Sequence, residues 1–356
     1  MDFEDPLRKF PAITPHPAPD SVASSELSSL LEESDRWYDT RTTVLKILEN
    51  RYIPNGPDDG TPKVLRAFVM KLLKGGQLAL VSETRLLQDD SAKLRQLRNF
   101  LVDAILKPMM GTGGKNPKTP ITPSPRPNAN NDILSSIATI EPSSRNDQRV
   151  LKADCLRRDG HRCALTGRVD GKSRGKVPGA AGWMVKTQCA HILPFALRNF
   201  DTQSAQEIKP TIWWALYRYF PGLKDLIGPG TINQHQNALT MWDTLHAEFG
   251  TFNLAFEPLD DVSVSKIYST PENRYRTRWV TYPGYEAPDV VTLASNDPPV
   301  PLPNSKYFWV HFRIAEILEW FDTGEATLKS IEIGTTSPVL NPVSPDVLRG
   351  VGGAVN

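Results

Sequence analysis

The sequence predicts an α+β protein in which an all-α N-terminal region precedes a mixed C-terminal one. Three observations carry this expectation. Apolar residues recur at helical spacing from about residue 24 to 107, a proline-rich stretch then interrupts all periodicity, and short period-two segments alternate with helical ones beyond it. The chain has 356 residues, 39% of them apolar, enough for two or three domains of about 150 residues each.

Residues 1–20 are polar and rich in proline and read as a disordered lead-in. The first 40 residues carry nine acidic and three basic side chains, a balance that repels a phosphate backbone. A helical domain is expected over 24–107. In its first block Leu27, Leu30, Leu31, Trp37, Val44, Ile47 and Leu48 fall every three, four or seven positions, until Pro54-Asn-Gly-Pro57 stops the pattern. A second block runs from Lys63 to about Leu106, with a break expected at Gly75-Gly76 and a stop at Pro108. Its apolar stripe reads as ordinary core, with a protein partner docked through 24–107 as the functional alternative.

Residues 108–143 read as a Pro-rich linker. The chain holds 31 prolines, about 9% against an average near 5%, and five of them lie between Pro117 and Pro127. A C-terminal domain is expected over 144–325. Arg149 to Arg158 reads as a helix broken at Asp159-Gly160, and Cys163 to Gly167 as a short strand entering a turn. Gly182 to Leu193 reads as a strand, Thr211 to Phe220 as an aromatic helix, and Thr251 to Glu257 as a half-buried strand. Phe308 to Phe321 forms a closing amphipathic helix ended near Gly324, and 326–356 reads as a flexible tail.

Composition excludes several classes. Basic and acidic residues nearly cancel, 41 against 40, so any contact with nucleic acid rests on a local patch. Three cysteines do not make a disulfide-stapled secreted scaffold. The acidic start lacks the apolar core of a signal peptide, and no run reaches the roughly 18 apolar residues of a membrane span. These features predict an intracellular protein, in nucleus or cytoplasm, neither secreted nor membrane-bound.

Three of the six histidines fall between 191 and 246. His191 ends the expected strand, sharing a face with Cys189 and followed by Pro194. A second strand, Ala238 to Trp242, turns abruptly into a helix for which Asp243 is a suitable N-cap and Gly250 a left-handed stop. His246 then lies in the helix's first turn. From Arg145 to Lys176 there are ten basic and four acidic residues, a plausible phosphate footprint. Within it, Arg157, Arg158 and Arg162 read either as nucleic-acid contacts or as a solvated helix face. Trp213 and Trp214 read as core rather than as a base-stacking platform. The cysteine spacings match no paired structural zinc site, so Cys155, Cys163 and Cys189 read as small buried apolar residues.

Cys189-Ala-His-Ile-Leu-Pro194, and Asn237 followed nine positions later by His246, resemble the HNH nuclease signature, more narrowly the HNH domains of fungal proteins. Leu156-Arg-Arg-Asp-Gly-His-Arg-Cys-Ala-Leu-Thr-Gly167 is similar to the entry of those domains. The resemblance implies a ββα-metal centre and a metal-dependent endonuclease acting on nucleic acid, DNA ahead of RNA. His191 is then the general base, Asn237 the residue that orients it, and His246 the ligand of one divalent metal ion, Mg, Mn, Ni or Zn. The sequence departs from the pattern at Ala190, where many such enzymes carry another ligand. Cys189, Asp243, His235 and Glu248 are the candidates to supplement His246, Cys189 and Asp243 foremost. The alternatives are a catalytically degenerate nucleic-acid-binding module, and an interaction scaffold built on the N-terminal helices.

Overall fold

The computed structural model describes residues 41–110, 121–127, 129, 132–133, 145–180, 182–194, 197, 203–259, 273–278 and 288–322. The lead-in, the helical stretch expected over 24–40, much of the linker and the tail lie outside the described residues.

Helix α1 runs through residues 41–50 and buries Val44, Ile47 and Leu48, the three apolar positions of its stripe. Helix α2 (Thr61–Lys71) starts with a proline in its first turn, where the missing N–H costs nothing. Helices α3 (Lys74–Leu86) and α4 (Ser91–Leu101) follow, the latter capped by the Asp90 carboxylate accepting from the Lys93 amide at 2.9 Å. A π-helical turn (Val102–Leu106) prolongs α4.

Helix α5 (Arg145–Arg158) ends as expected at Asp159-Gly160, where Gly160 takes φ +63°. The stretch from Cys163 to Gly167, expected to begin as a strand, is instead a tight knuckle. The Cys163 amide donates to the Arg168 carbonyl and the Gly167 amide to the Cys163 carbonyl, leaving one isolated bridge between Arg162 and Val169. Strand β1 is Thr187–His191, shorter than the expected 182–193. Helix α6 (Gln203–Tyr219) fills the excursion to strand β2 (Ala238–Trp242), which passes directly into helix α7 (Asp243–Gly250). A second antiparallel sheet orders β3 (Ala255–Pro258), β4 (Arg274–Arg278) and β5 (Val290–Thr292), and helix α8 (Ser305–Asp322) closes the described chain. Among the described residues no helix is long and apolar enough to cross a membrane.

Three expectations are corrected. The break between α2 and α3 falls at extended Leu72 and Leu73, and Gly75-Gly76 enter the first turn of α3. A Cβ at Gly76 would sit 2.0 Å from the Tyr219 carbonyl oxygen, and one at Gly75 2.6 Å from Pro221 Cγ. The glycines therefore admit the end of α6 against α3 rather than breaking a helix. Asp243 is the first helical residue, after Trp242 as N-cap, because its amide is tied to the Lys186 carbonyl at 2.9 Å. Gly250 stays helical, and the left-handed residue is Phe252 at φ +65°, whose buried ring stacks on His311.

A continuous apolar core joins the helices before the linker to the elements after it. It includes Leu65 and Phe68 of α2, Leu216 of α6, and Ile314 and Ile317 of α8. Buried Glu83 on α3 accepts from Arg218 and from the Tyr219 hydroxyl on α6, and Lys71 pairs with Glu316 at 2.8 Å.

Candidate functional site

The antiparallel register pairs Thr187 with Trp242, Cys189 with Thr240 and His191 with Ala238. Side-chain alternation then divides the hairpin. Cys189 and Ala238 pack on Leu151 and Cys155 of α5, while Ala190, Leu239 and Met241 enter the main core, which also takes Leu245 and Phe249 of α7. The hairpin is thus held between two helices, with His191 at the open end of β1.

His191 is part-buried, and its Nε2 lies 2.9 Å from Asn233 Oδ1. An amide oxygen can only accept, so Nε2 carries the proton and Nδ1 the lone pair. Burial, aided by the nearby His246 and opposed by the Asn233 hydrogen bond, holds the His191 pKa down at about 4, so the ring is neutral at physiological pH. His246, in the first turn of α7, is lowered mainly by burial, against an opposing pull from the Asp243 carboxylate. The hairpin and helix therefore bring together two neutral, partly desolvated imidazoles that lie 55 residues apart in sequence.

Asn237 is fully buried and makes three side-chain hydrogen bonds. Its Oδ1 accepts from the Leu193 amide at 2.8 Å, and its Nδ2 donates to the carbonyls of Leu193 (3.0 Å) and Ile232 (2.9 Å). Its own carbonyl accepts from the Ile192 amide at 2.9 Å. It pins the chain just after His191 to the loop that carries Asn233.

The supplementary candidates do not complete a ligand set. Cys189 is hydrogen-bonded to Cys155, and this contact together with burial raises its pKa well above the ordinary thiol value. Asp243 lies near His246, but its carboxylate accepts from the Thr244 amide at 3.0 Å and pairs with Lys186 at 3.5 Å. Among the described residues no group of three or more His, Cys, Asp or Glu side chains is placed to hold a metal ion.

The arginines separate into different roles. Arg158 is 0% exposed, and its guanidinium spends all five N–H donors inside the fold: two on Asp159 and one each on the carbonyls of His235, Ala238 and Pro301. Asp159 in turn accepts from the Thr240 amide at 2.7 Å. Arg158 is therefore no phosphate contact; it fastens α5 to β2. Arg157 is half exposed and forms ion pairs with Asp154 (2.8 Å) and Asp297 (3.1 Å), and Arg162 donates to the Gly167 carbonyl at 2.9 Å. Trp213 is buried, as expected of core, and Trp214 packs against it from a partly buried position. Sequence reasoning missed the roles of Asn233, whose partner His191 is 42 residues away, and of Asp159, which reads as a helix breaker but accepts from Arg158 and from the Thr240 amide.

Residues 163–257 match the family model described as HNH endonuclease. The match covers β1, β2, α7 and the excursion between the strands, including His191, Asn237 and His246. No curated protein and no solved structure matches the chain.

Proposed function

We propose that the HNH-type centre at residues 163–257 hydrolyses phosphodiester bonds of nucleic acid, with DNA as the preferred substrate. The observation that carries the reading is the approach of His191 and His246 across the hairpin–helix unit, both held neutral. With Nε2–H committed to Asn233, the Nδ1 lone pair of His191 takes the proton of a water whose oxygen attacks phosphorus, while the P–O bond to the leaving strand breaks and its oxygen leaves as an alcohol after taking a proton from solvent. Asn237 holds the backbone beside His191 and so fixes the direction of that lone pair. His246 is the residue that would hold a divalent cation, Mg, Mn, Ni or Zn, which when bound supplies Lewis-acid stabilisation of phosphoryl oxygens. The described residues do not themselves fit a closed cation site, since Ala190 contributes no donor and no third ligand joins the histidines.

That shortfall favours a second reading, an HNH-fold module that binds nucleic acid without cutting it. Plasmid and single-stranded DNA cleavage in Mg²⁺, Mn²⁺, Ni²⁺ or Zn²⁺, beside His191→Ala and His246→Ala, separates the two. Metal-dependent nicking lost in both variants supports the nuclease. Salt-sensitive retention of DNA with no cleavage under any of the four metals supports the binding module.

A further inference from the structure

Trp183 lies 63% exposed on the loop leading into β1, in a region of strongly positive charge. From Arg162 to Lys186 the chain has six basic residues and a single acidic one, Asp170, which is buried. Large aromatic side chains are rarely left in water without a partner. This one is built in place. The Arg168 guanidinium sits 4.4 Å from its ring centroid, and the Trp242 ring meets it edge-on, centroids 5.3 Å apart. Trp242 ends β2 and precedes the helix that carries His246, so the exposed indole is braced by the hairpin of the candidate site.

The charges around it are anchored to the same loop. Lys172, Arg174 and Lys176 stand exposed on a 3₁₀ turn (Gly171–Lys176) that hangs from Asp170. The Asp170 carboxylate accepts from Ser173 Oγ (3.0 Å) and Thr187 Oγ1 (2.8 Å), and the Gly171 amide donates to the Val185 carbonyl at 2.9 Å. Lys186, three residues after the indole, is 71% exposed and paired at 3.5 Å with Asp243 at the start of α7, a pair that a phosphate would have to compete with. A solvent-facing aromatic ring braced by Arg168 and Trp242, on a loop that also carries exposed cations, is complementary to a strand that offers bases and phosphates together. The indole packs on Trp242, which pairs with Thr187, and from Thr187 to His191 the strand spans about 13 Å, the reach of a few nucleotides.

We propose that Trp183 is a stacking platform for an unpaired base, with Arg168, Lys172, Arg174, Lys176 and Lys186 holding the adjoining phosphates. The site then takes a single strand, or a strand locally opened, and delivers it toward His191. The inference rests on the nucleic-acid reading of the HNH-type centre and does not require that the centre cleave.

Fluorescence anisotropy of the full chain with a labelled 20-mer tests it. The oligonucleotide is offered as a single strand, as a duplex, and as an abasic strand that keeps the phosphates. Trp183→Ala lowers affinity for the single strand about 5- to 100-fold, Trp183→Phe retains most of it, and duplex affinity hardly changes. The abasic strand binds the wild type as weakly as the normal strand binds Trp183→Ala. Replacing Lys172, Arg174 and Lys176 by alanine flattens the salt dependence for every ligand. Equal single-strand affinities of wild type and Trp183→Ala would overturn the proposal even if the protein cleaves DNA. Trp183-dependent binding with no cleavage would uphold it while ending the nuclease reading.

Discussion

The Asn237 side chain and the Leu193 backbone hold each other through a reciprocal amide pair, N–H to Oδ1 at 2.8 Å and Nδ2–H to carbonyl at 3.0 Å. Leu193 lies two residues beyond His191, so the pair transmits the position of β2 to the ring at the end of β1. Asn237→Ala leaves the Leu193 amide and carbonyl and the Ile232 carbonyl buried without these partners. At roughly 1–3 kcal/mol for each orphaned group, a loss of about 3 kcal/mol or more is expected in urea unfolding. A loss below about 1 kcal/mol in Asn237→Ala would mean that the pair does not hold the hairpin.

Asn233 acts on the other side of the same ring. Asn233→Ala removes the acceptor that fixes the proton on His191 Nε2, and with it the tautomer. If the centre cleaves, kcat falls about 10- to 100-fold with little change in substrate affinity. Asn233→Asp retains the acceptor and most of the rate. A fall in affinity with kcat unchanged would place Asn233 on the substrate rather than on the base.

Arg158 and Asp159 form the buried ionic link between α5 and β2. Arg158→Met leaves Asp159 as an uncompensated buried charge and orphans three carbonyls, with an expected destabilisation of about 3–5 kcal/mol by thermal or chemical unfolding. Arg157→Ala removes only a half-exposed ion-pair partner and costs about 1 kcal/mol or less. Equal losses in the two variants would mean that the five-bond geometry contributes nothing.

These residues show which parts of the site a sequence exposes. The local pattern was enough to place His191 at a strand end, Asn237 just before a strand and His246 in the first turn of the helix that follows, whereas the 55-residue separation of the two histidines gave no hint of their approach. Arg158 was misread because an Arg-Arg pair on a polar helix looks solvated, and its three carbonyl acceptors lie 77 to 143 residues away. Gly75-Gly76 was misread because glycine commonly breaks helices, whereas here its missing side chain admits the Tyr219 carbonyl. Cys189 was correctly placed on the His191 face, but its partner Cys155 comes from a helix the strand pattern says nothing about. Most helices were found through their periodicity, with ends displaced by a few residues where packing rather than capping sets them.

His311 predicts an acid limit to stability. Its ring lies between Phe249 and Phe252, at 3.9 and 4.4 Å, and its Nε2–H donates to the Phe249 carbonyl at 3.0 Å. Nδ1 is buried without a hydrogen-bond partner among the described residues, so a second proton has no acceptor there. The pKa falls to about 3, well below the 6.5 of a free histidine. Between these values the unfolded chain binds a proton that the folded one refuses, so stability declines as pH drops from about 6.5 toward 3. His191 and His246 shift in the same direction and add to the slope. His311→Gln keeps an N–H donor and cannot titrate, so its unfolding free energy falls less between pH 7 and pH 5 than that of the wild type. Parallel pH profiles would exclude His311 as a source of the slope.

The contact of α3 with α6 predicts that the N-terminal helices unfold together with the centre they support. Gly76→Ala drives a Cβ to 2.0 Å from the Tyr219 carbonyl oxygen, a backbone atom that moves only if α6 moves with it. The adjacent Glu83, bound to Arg218 and Tyr219, depends on the same approach. Overpacking of this kind costs about 1–3 kcal/mol. Tryptophan fluorescence and far-ultraviolet circular dichroism should therefore report one coincident transition in the wild type. In Gly76→Ala that transition shifts as a whole to lower denaturant. If instead the wild type shows two transitions, and Gly76→Ala shifts neither, the helices before the linker and the HNH-type centre are energetically separate and α3 does not support α6.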